Sequence, residues 1–173
     1  MGKTTIIHEA LQRTGADFSV SATTRKRRPD ETHGRDYLFV ERSVFESMVD
    51  AGEMLEWAEV HGELYGTPGS AIAESLLAGK TIVLDVDVQG AVQLNERLPD
   101  ATYILILPPD EEILEKRLRD RGTESDEKII RRLAKAKEEV RAAKDSGIFG
   151  SFVINDDLQT AVMEIVTVID KMV

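Results

Sequence analysis

The chain has 173 residues, with 22 Lys and Arg against 32 Asp and Glu, a formal net charge of −10, and no cysteine. That length suits one domain with a sizeable core and small inserted lobes. The acidic balance argues against nonspecific attraction to nucleic acid or an anionic membrane, and the lack of cysteine excludes disulfides, thiolate nucleophiles and Cys-built metal sites. His8, His33 and His61 are too scattered in sequence to argue for a metal centre. No stretch approaches the roughly 20 apolar residues of a membrane span. The first ten residues lack a signal-peptide hydrophobic region, so a cytoplasmic location is expected.

In chain order, "TTIIHEALQRT" has apolar residues at helical spacing, and "DFSVSATT" is short and β-branched. "RDYLFV" alternates like a strand, "VFESMVDAG" returns to a helical pattern, and "EMLEWAEV", bounded by glycines, is predicted as a strand. Tyr65 and Thr67 fall in a glycine-flanked turn that would present hydroxyls to a ligand. "GSAIAESLLAGK" is a helix ending at Gly79. "TIVLDVD" is a near-continuous apolar run ending in carboxylates, the pattern of a buried parallel strand whose end faces a site. Helix, strand, two helices, strand and helix follow: "VQGAVQLNERL", "ATYILILPP", "DEEILEKRLRDRG", "ESDEKIIRRLAKAKEEVRAAKD", "SFVIND" and "LQTAVMEIVTVIDKMV". The alternation predicts an α/β fold with a doubly wound parallel sheet. Residues 18 to 68 break it and read as a small, mainly β insertion.

Three stretches carry chemistry. "MGKTT" matches the closing half of the phosphate loop G-x-x-x-x-G-K-[ST] and leads into a helix, as such a loop should. In that reading Lys3 reaches the β and γ phosphates, Thr4 offers its hydroxyl to the accompanying metal, and Asp85, at the end of "TIVLDVD", orients that metal directly or through water. The bland alternatives are a plain helix N-terminus and a capping or solvated carboxylate. In "SVSATTRKRRPDETHGRDY", Arg25 and Arg28 lie three apart in an otherwise acidic chain and could converge on one phosphate, since guanidinium forks match phosphate oxygens. Tyr37 adds a neutral donor. A solvated basic loop is the competing reading. Glu56, beside Trp57 in an apolar context, needs donors facing it, from a ligand or from an arginine salt bridge.

Together, "FSVSATTRKRRPDETHGRDYLFV", "LEWAEVHGELYGT", "TIVLDVDVQG", "ILPPDEEILEKRLRDRGTES" and "VINDD" resemble guanylate kinases, in unbroken order from about residue 2 to the C-terminus. The resemblance implies a P-loop NTPase-type parallel sheet flanked by helices, a GMP-binding lobe over about 18–78, a core over 1–17 and 79–173, and a helical lid over about 110–143. It implies transfer of the γ-phosphoryl of ATP to GMP, with Mg²⁺ as cofactor, by a cytoplasmic monomer or homodimer with no nucleic-acid or membrane partner. Arg25, Arg28, Tyr37 and Tyr65 should hold the GMP phosphate, and Ser21, Glu56, Thr67 and Asp87 should surround the guanine. Gly2, Lys3, Thr4, Thr5 and Asn155 should bind ATP. Lys3, Arg117, Arg121 and Arg132 should neutralise charge on the group in flight, and Thr4 and Asp85 should hold the Mg²⁺. The competing reading for the lid arginines is helix-surface ion pairing, which suits Arg119 and Arg131 best, and for Asn155 it is that "NDD" simply caps the last helix.

Two carboxylates suit guanine, whose N1–H and N2–H₂ donors share one edge; adenine presents an acceptor there, so a buried carboxylate would reject it. The family's first strand and the glycine-rich half of its phosphate loop should precede Gly2. A misassigned start, a trimmed product and a natural truncation all fit that expectation. The last would leave a catalytically impaired module that binds GMP or a phosphopeptide.

Overall fold

The computed structural model describes residues 3–60, 62–120 and 125–172. The expected positions Gly2 and Arg121 lie outside the described residues. The elements are α1 (Lys3–Thr14), β1 (Asp17–Phe18), β2 (Ala22–Thr23), β3 (Leu38–Phe39), α2 (Arg42–Asp50), β4 (Met54–Val60), β5 (Glu63–Pro68), α3 (Gly69–Leu77), β6 (Ile82–Val83), α4 (Val88–Arg97), β7 (Ile104–Leu107), α5 (Glu111–Arg119), α6 (Asp126–Ser146), β8 (Ser151–Ile154) and α7 (Leu158–Asp170). No described helix is long and apolar enough to cross a membrane.

The chain divides into two compact units, residues 16–101 and residues 1–15 with 102–173. The lobe expected over about 18–78 falls inside the first, which continues through β6 and α4.

In the unit of residues 16–101, β1 and β6 pair in parallel, with Phe18 opposite Val83. A four-stranded sheet of order β3-β2-β5-β4 carries the rest. "DFSVSATT", expected as one strand, is thus divided between two sheets, β1 joining the parallel pair and β2 the mixed one. Tyr65 and Thr67 lie on β5 rather than in a turn. The reversal comes at Gly62, whose φ of 84° closes a tight β4–β5 hairpin. One face of the four-stranded sheet packs on α2: Ala22, Phe45, Met54 and Leu64 are buried there, with Leu38, Val40, Met48 and Val49 against them. Gly66 keeps that face open to Phe45, because a Cβ on it would sit 3.0 Å from the Phe45 ring.

In the other unit, α1 packs on α7 through Ile6, Ile7 and Ala10 against a face that buries Ala161, Val162, Ile165, Val166 and Ile169. β7 and β8 pair in parallel over Ile104–Leu107 and Ser151–Ile154. α5 begins at Asp110, whose carboxylate accepts the Ile113 N–H; Glu111 and Glu112 open its first turn and Lys116, Arg117 and Arg119 close its last, in the sense the helix dipole favours. Asp157, the last residue of "NDD", caps α7, accepting the Thr160 N–H at 2.8 Å.

Candidate active site

A register change in β4 aims its carboxylate. Met54 pairs with Pro68, but Glu56 pairs with Thr67, so two residues of β4 oppose one of β5. Side chains two apart on a regular strand share a face. The bulge breaks that rule, leaving Met54 in the α2-facing core and turning Glu56 to the other face. That second face also carries Thr23, Phe39, Tyr65 and Thr67, by the pairing of Thr23 with Phe39 and with Tyr65.

Glu56 is buried, and its Oε1 accepts the Thr67 hydroxyl from the adjacent strand at 2.5 Å. Burial pushes its carboxyl above the ordinary glutamate range, and the charge of Asp87 pushes it further. Its partner among the described residues is therefore a threonine, not the arginine of the competing reading. Asp87 caps α4, its Oδ1 accepting the Gly90 N–H at 2.8 Å. Asp85, two residues earlier and half-buried, does not cap the helix. The two carboxylates meet at Gly90: a Cβ there would lie 2.5 Å from Glu56 Oε2 and 3.4 Å from Asp87 Oδ1. Ser21 sits just before β2, its carbonyl accepting the Leu38 N–H.

Helix α4 is fastened to β4 by side chains that sequence reasoning did not single out. Gln93 receives the Trp57 N–H at 3.2 Å and donates to the Trp57 carbonyl at 2.9 Å, giving this edge strand both bonds that a further strand would give. Arg97, four residues on, donates to the Met54 carbonyl at 3.0 Å. Gly90, Gln93 and Arg97 recur every three to four residues after Asp87, the only signal of this face in the sequence. Gln93 and Arg97 tie α4, which Asp87 caps, to β4, which carries Glu56.

The expected phosphate pocket lies in the same unit. The Arg25 guanidinium stacks 5.5 Å from the Tyr37 ring centre and 5.7 Å from that of Phe39. Tyr37 and Tyr65 meet edge to face at 6.0 Å. Burial raises the Tyr37 hydroxyl above its ordinary value, with the Asp85 charge next in weight. Arg25 and Arg28 do reach one anion, the carboxylate of Glu31: Arg25 binds it with both terminal nitrogens at 3.0 and 2.7 Å, and Arg28 gives it a backbone N–H at 2.8 Å and a guanidinium at 4.0 Å.

In the unit of residues 1–15 and 102–173, Lys3 and Thr4 are exposed on the first turn of α1 and Thr5 is half-buried. Arg117 on α5 donates to the Asn155 carbonyl at 2.9 Å, and Asn155, buried after β8, gives its N–H to the Leu107 carbonyl at 2.7 Å. Arg132 is half-buried on α6. Arg119 pairs with Glu115 and Asp126 on the helix surface, as its solvated reading has it.

A guanylate kinase family model matches residues 1–172 of this chain. The chain belongs to the guanylate kinase family. It is 45% identical to the guanylate kinase of Aromatoleum aromaticum over 97% of its own length and 81% of that protein. It is 44% identical to that of Thermosynechococcus vestitus, over 98% and 87%. The crystal structure of guanylate kinase from Anaplasma phagocytophilum superposes with a TM-score of 0.76 at 27% identity, over 97% of this chain and 80% of that one. The mixed α/β architecture with parallel strand pairs is that of this P-loop family.

Proposed function

We propose that residues 16–101 bind GMP by a guanine-reading carboxylate pair and an arginine–tyrosine phosphate pocket. The enzyme is an ATP:GMP phosphotransferase, making ADP and GDP. The observation that carries the residue-level reading is the convergence of Glu56 and Asp87 on Gly90, in the unit that also holds Arg25, Tyr37 and Tyr65. Glu56 and Asp87 accept the N1–H and N2–H₂ donors of guanine, and the hydroxyls of Ser21 and Thr67 complete the surround. Arg25, Arg28, Tyr37 and Tyr65 hold the monophosphate.

On the donor side, Lys3, Thr4 and Thr5 at the start of α1 bind ATP phosphates, with Asn155 near the adenine. Arg117 and Arg132 neutralise charge on the transferring phosphoryl group. Alignment and charge neutralisation carry the catalysis, without a covalent intermediate.

Kinases of this type use a divalent metal with ATP. Among the described residues no three His, Asp or Glu gather into a ready-made cage. Mg²⁺ takes hard oxygen donors, keeps several waters and binds through substrate phosphates and one or two carboxylates. Asp85 is the candidate carboxylate and Thr4 the candidate hydroxyl. Mg²⁺ would supply positive charge that offsets the charge of the ATP phosphates.

A coupled assay for ADP tests the reading. Release of ADP that requires GMP and is not supported by AMP is expected. Equal rates with AMP and GMP would remove the guanine assignment.

A further inference from the structure

The phosphate pocket contains a carboxylate, and a fixed negative charge beside a phosphate is costly unless it does something else. Glu31 is that carboxylate, with its side chain only 13% exposed. Its Oε2 accepts the Arg28 N–H at 2.8 Å while its own N–H donates to the Arg28 carbonyl at 3.2 Å, so the 28–31 turn is closed from both sides. Its two oxygens take the two terminal nitrogens of Arg25 in a fork. Of the five N–H donors of Arg25, these two and a third on the Lys26 carbonyl are committed. The guanidinium also lies over the rings of Tyr37 and Phe39. It is therefore gripped on several sides before any ligand arrives.

We propose that Glu31 is the positioning residue of the phosphate pocket, pinning the Arg25 guanidinium and the Arg28 turn in the geometry that receives the monophosphate. This rests on the GMP reading above. The opposite role, a resident anion that the phosphate must displace, fits less well, because leaving would break the fork and the turn together. Pre-ordering a long arginine removes rotamer entropy that binding would otherwise cost. The two arginines also repel each other less with a carboxylate between them. The bond to Arg25 holds the Glu31 carboxyl below its ordinary range, so the clamp stays charged at neutral pH.

Calorimetry with GMP and with guanosine tests the assignment, since only GMP uses the phosphate pocket. Glu31→Gln keeps the size and loses the charge; it is expected to weaken GMP binding about tenfold while moving guanosine binding by less than about twofold. Glu31→Asp, a shorter carboxylate, should recover part of the loss. Equal or tighter GMP binding by Glu31→Gln overturns the proposal in favour of a displaced anion. Equal loss for both ligands overturns it in favour of a purely structural role. Arg25→Ala separates the two levels. If it leaves GMP binding intact, the phosphate-pocket reading and this proposal fall together. If it weakens GMP and Glu31→Gln does not, only this proposal falls.

Discussion

Glu56 Oε2 and the Cα hydrogen face of Gly90 are in such close approach that a Cβ at position 90 would sit 2.5 Å from the carboxylate oxygen. Gly90 lies within α4, where alanine is the better helix former. Gly90→Ala is therefore expected to keep the helix and push Glu56 off its position. We expect GMP binding to weaken at least about tenfold with circular dichroism unchanged, a loss set by misplacing one charge-assisted contact. Wild-type affinity in a folded Gly90→Ala protein would separate Glu56 from the guanine.

Glu56 also predicts a pH signature. Its carboxyl is raised by burial and by Asp87, and guanine donors need its charged form. GMP affinity should therefore fall on acidification, beginning at a pH above the ordinary glutamate range, and Glu56→Gln should remove that component. Comparing the two proteins cancels the titration of the GMP phosphate itself. The stability sign is opposite. An acid raised in the folded state binds protons more tightly there, so its contribution is greatest at low pH and is lost as pH rises through the ordinary value to the folded one. Glu56→Gln, which still accepts the Thr67 hydroxyl, should raise the ligand-free Tm at neutral pH by about 2–4 °C, with the gain vanishing in acid. A lower Tm at neutral pH would contradict the burial account.

The α4-to-β4 fastening makes a separable prediction. Replacing both Gln93 and Arg97 by alanine removes the bonds to Trp57 and Met54 without touching either carboxylate. A stability loss of about 1–3 kcal/mol is expected. GMP affinity should fall with it, as Asp87 is no longer held at a fixed distance from Glu56. Unfolding melts and calorimetry on the same samples read both. Lost stability with undiminished GMP affinity would mean that α4 does not set the spacing.

The chemistry-bearing residue types were legible in the sequence, and what aims them was not. Glu56 and Arg25 stood out because such groups in apolar or acidic surroundings need partners, whereas Asp87 was named only through the family resemblance. The bulge between Met54 and Glu56 depends on pairing with β5, and nothing local in "EMLEWAEV" marks it. Gly90, Gln93, Arg97 and Glu31 act through packing of a helix on a strand or closure of a turn, which composition does not record. The helix and strand order was readable from periodicity. The division of "DFSVSATT" between two sheets was not, because a β-branched run fits either ladder equally well. Acidic residues at loop ends were ambiguous in the same way: Asp87 rather than Asp85 caps α4, and within "NDD" the cap of α7 is Asp157.

Arg117 offers a prediction for the donor side. Its guanidinium is held by the Asn155 carbonyl, so both belong to one local arrangement. Arg117→Ala should lower kcat by about 10³-fold, in the range of a transition-state arginine, with the calorimetric affinity for GMP unchanged. Steady-state kinetics with ATP varied at saturating GMP checks it. A change confined to GMP affinity would place Arg117 outside the phosphoryl-transfer machinery.

The most direct test of guanine recognition by the carboxylate pair is calorimetric titration of GMP and AMP into the wild type and the Glu56→Gln, Asp87→Asn double variant. The wild type should bind GMP at least about 100-fold more tightly than AMP, and the double variant should lose most of that difference. Equal binding of the two nucleotides by the wild type, or undiminished preference in the double variant, would contradict it.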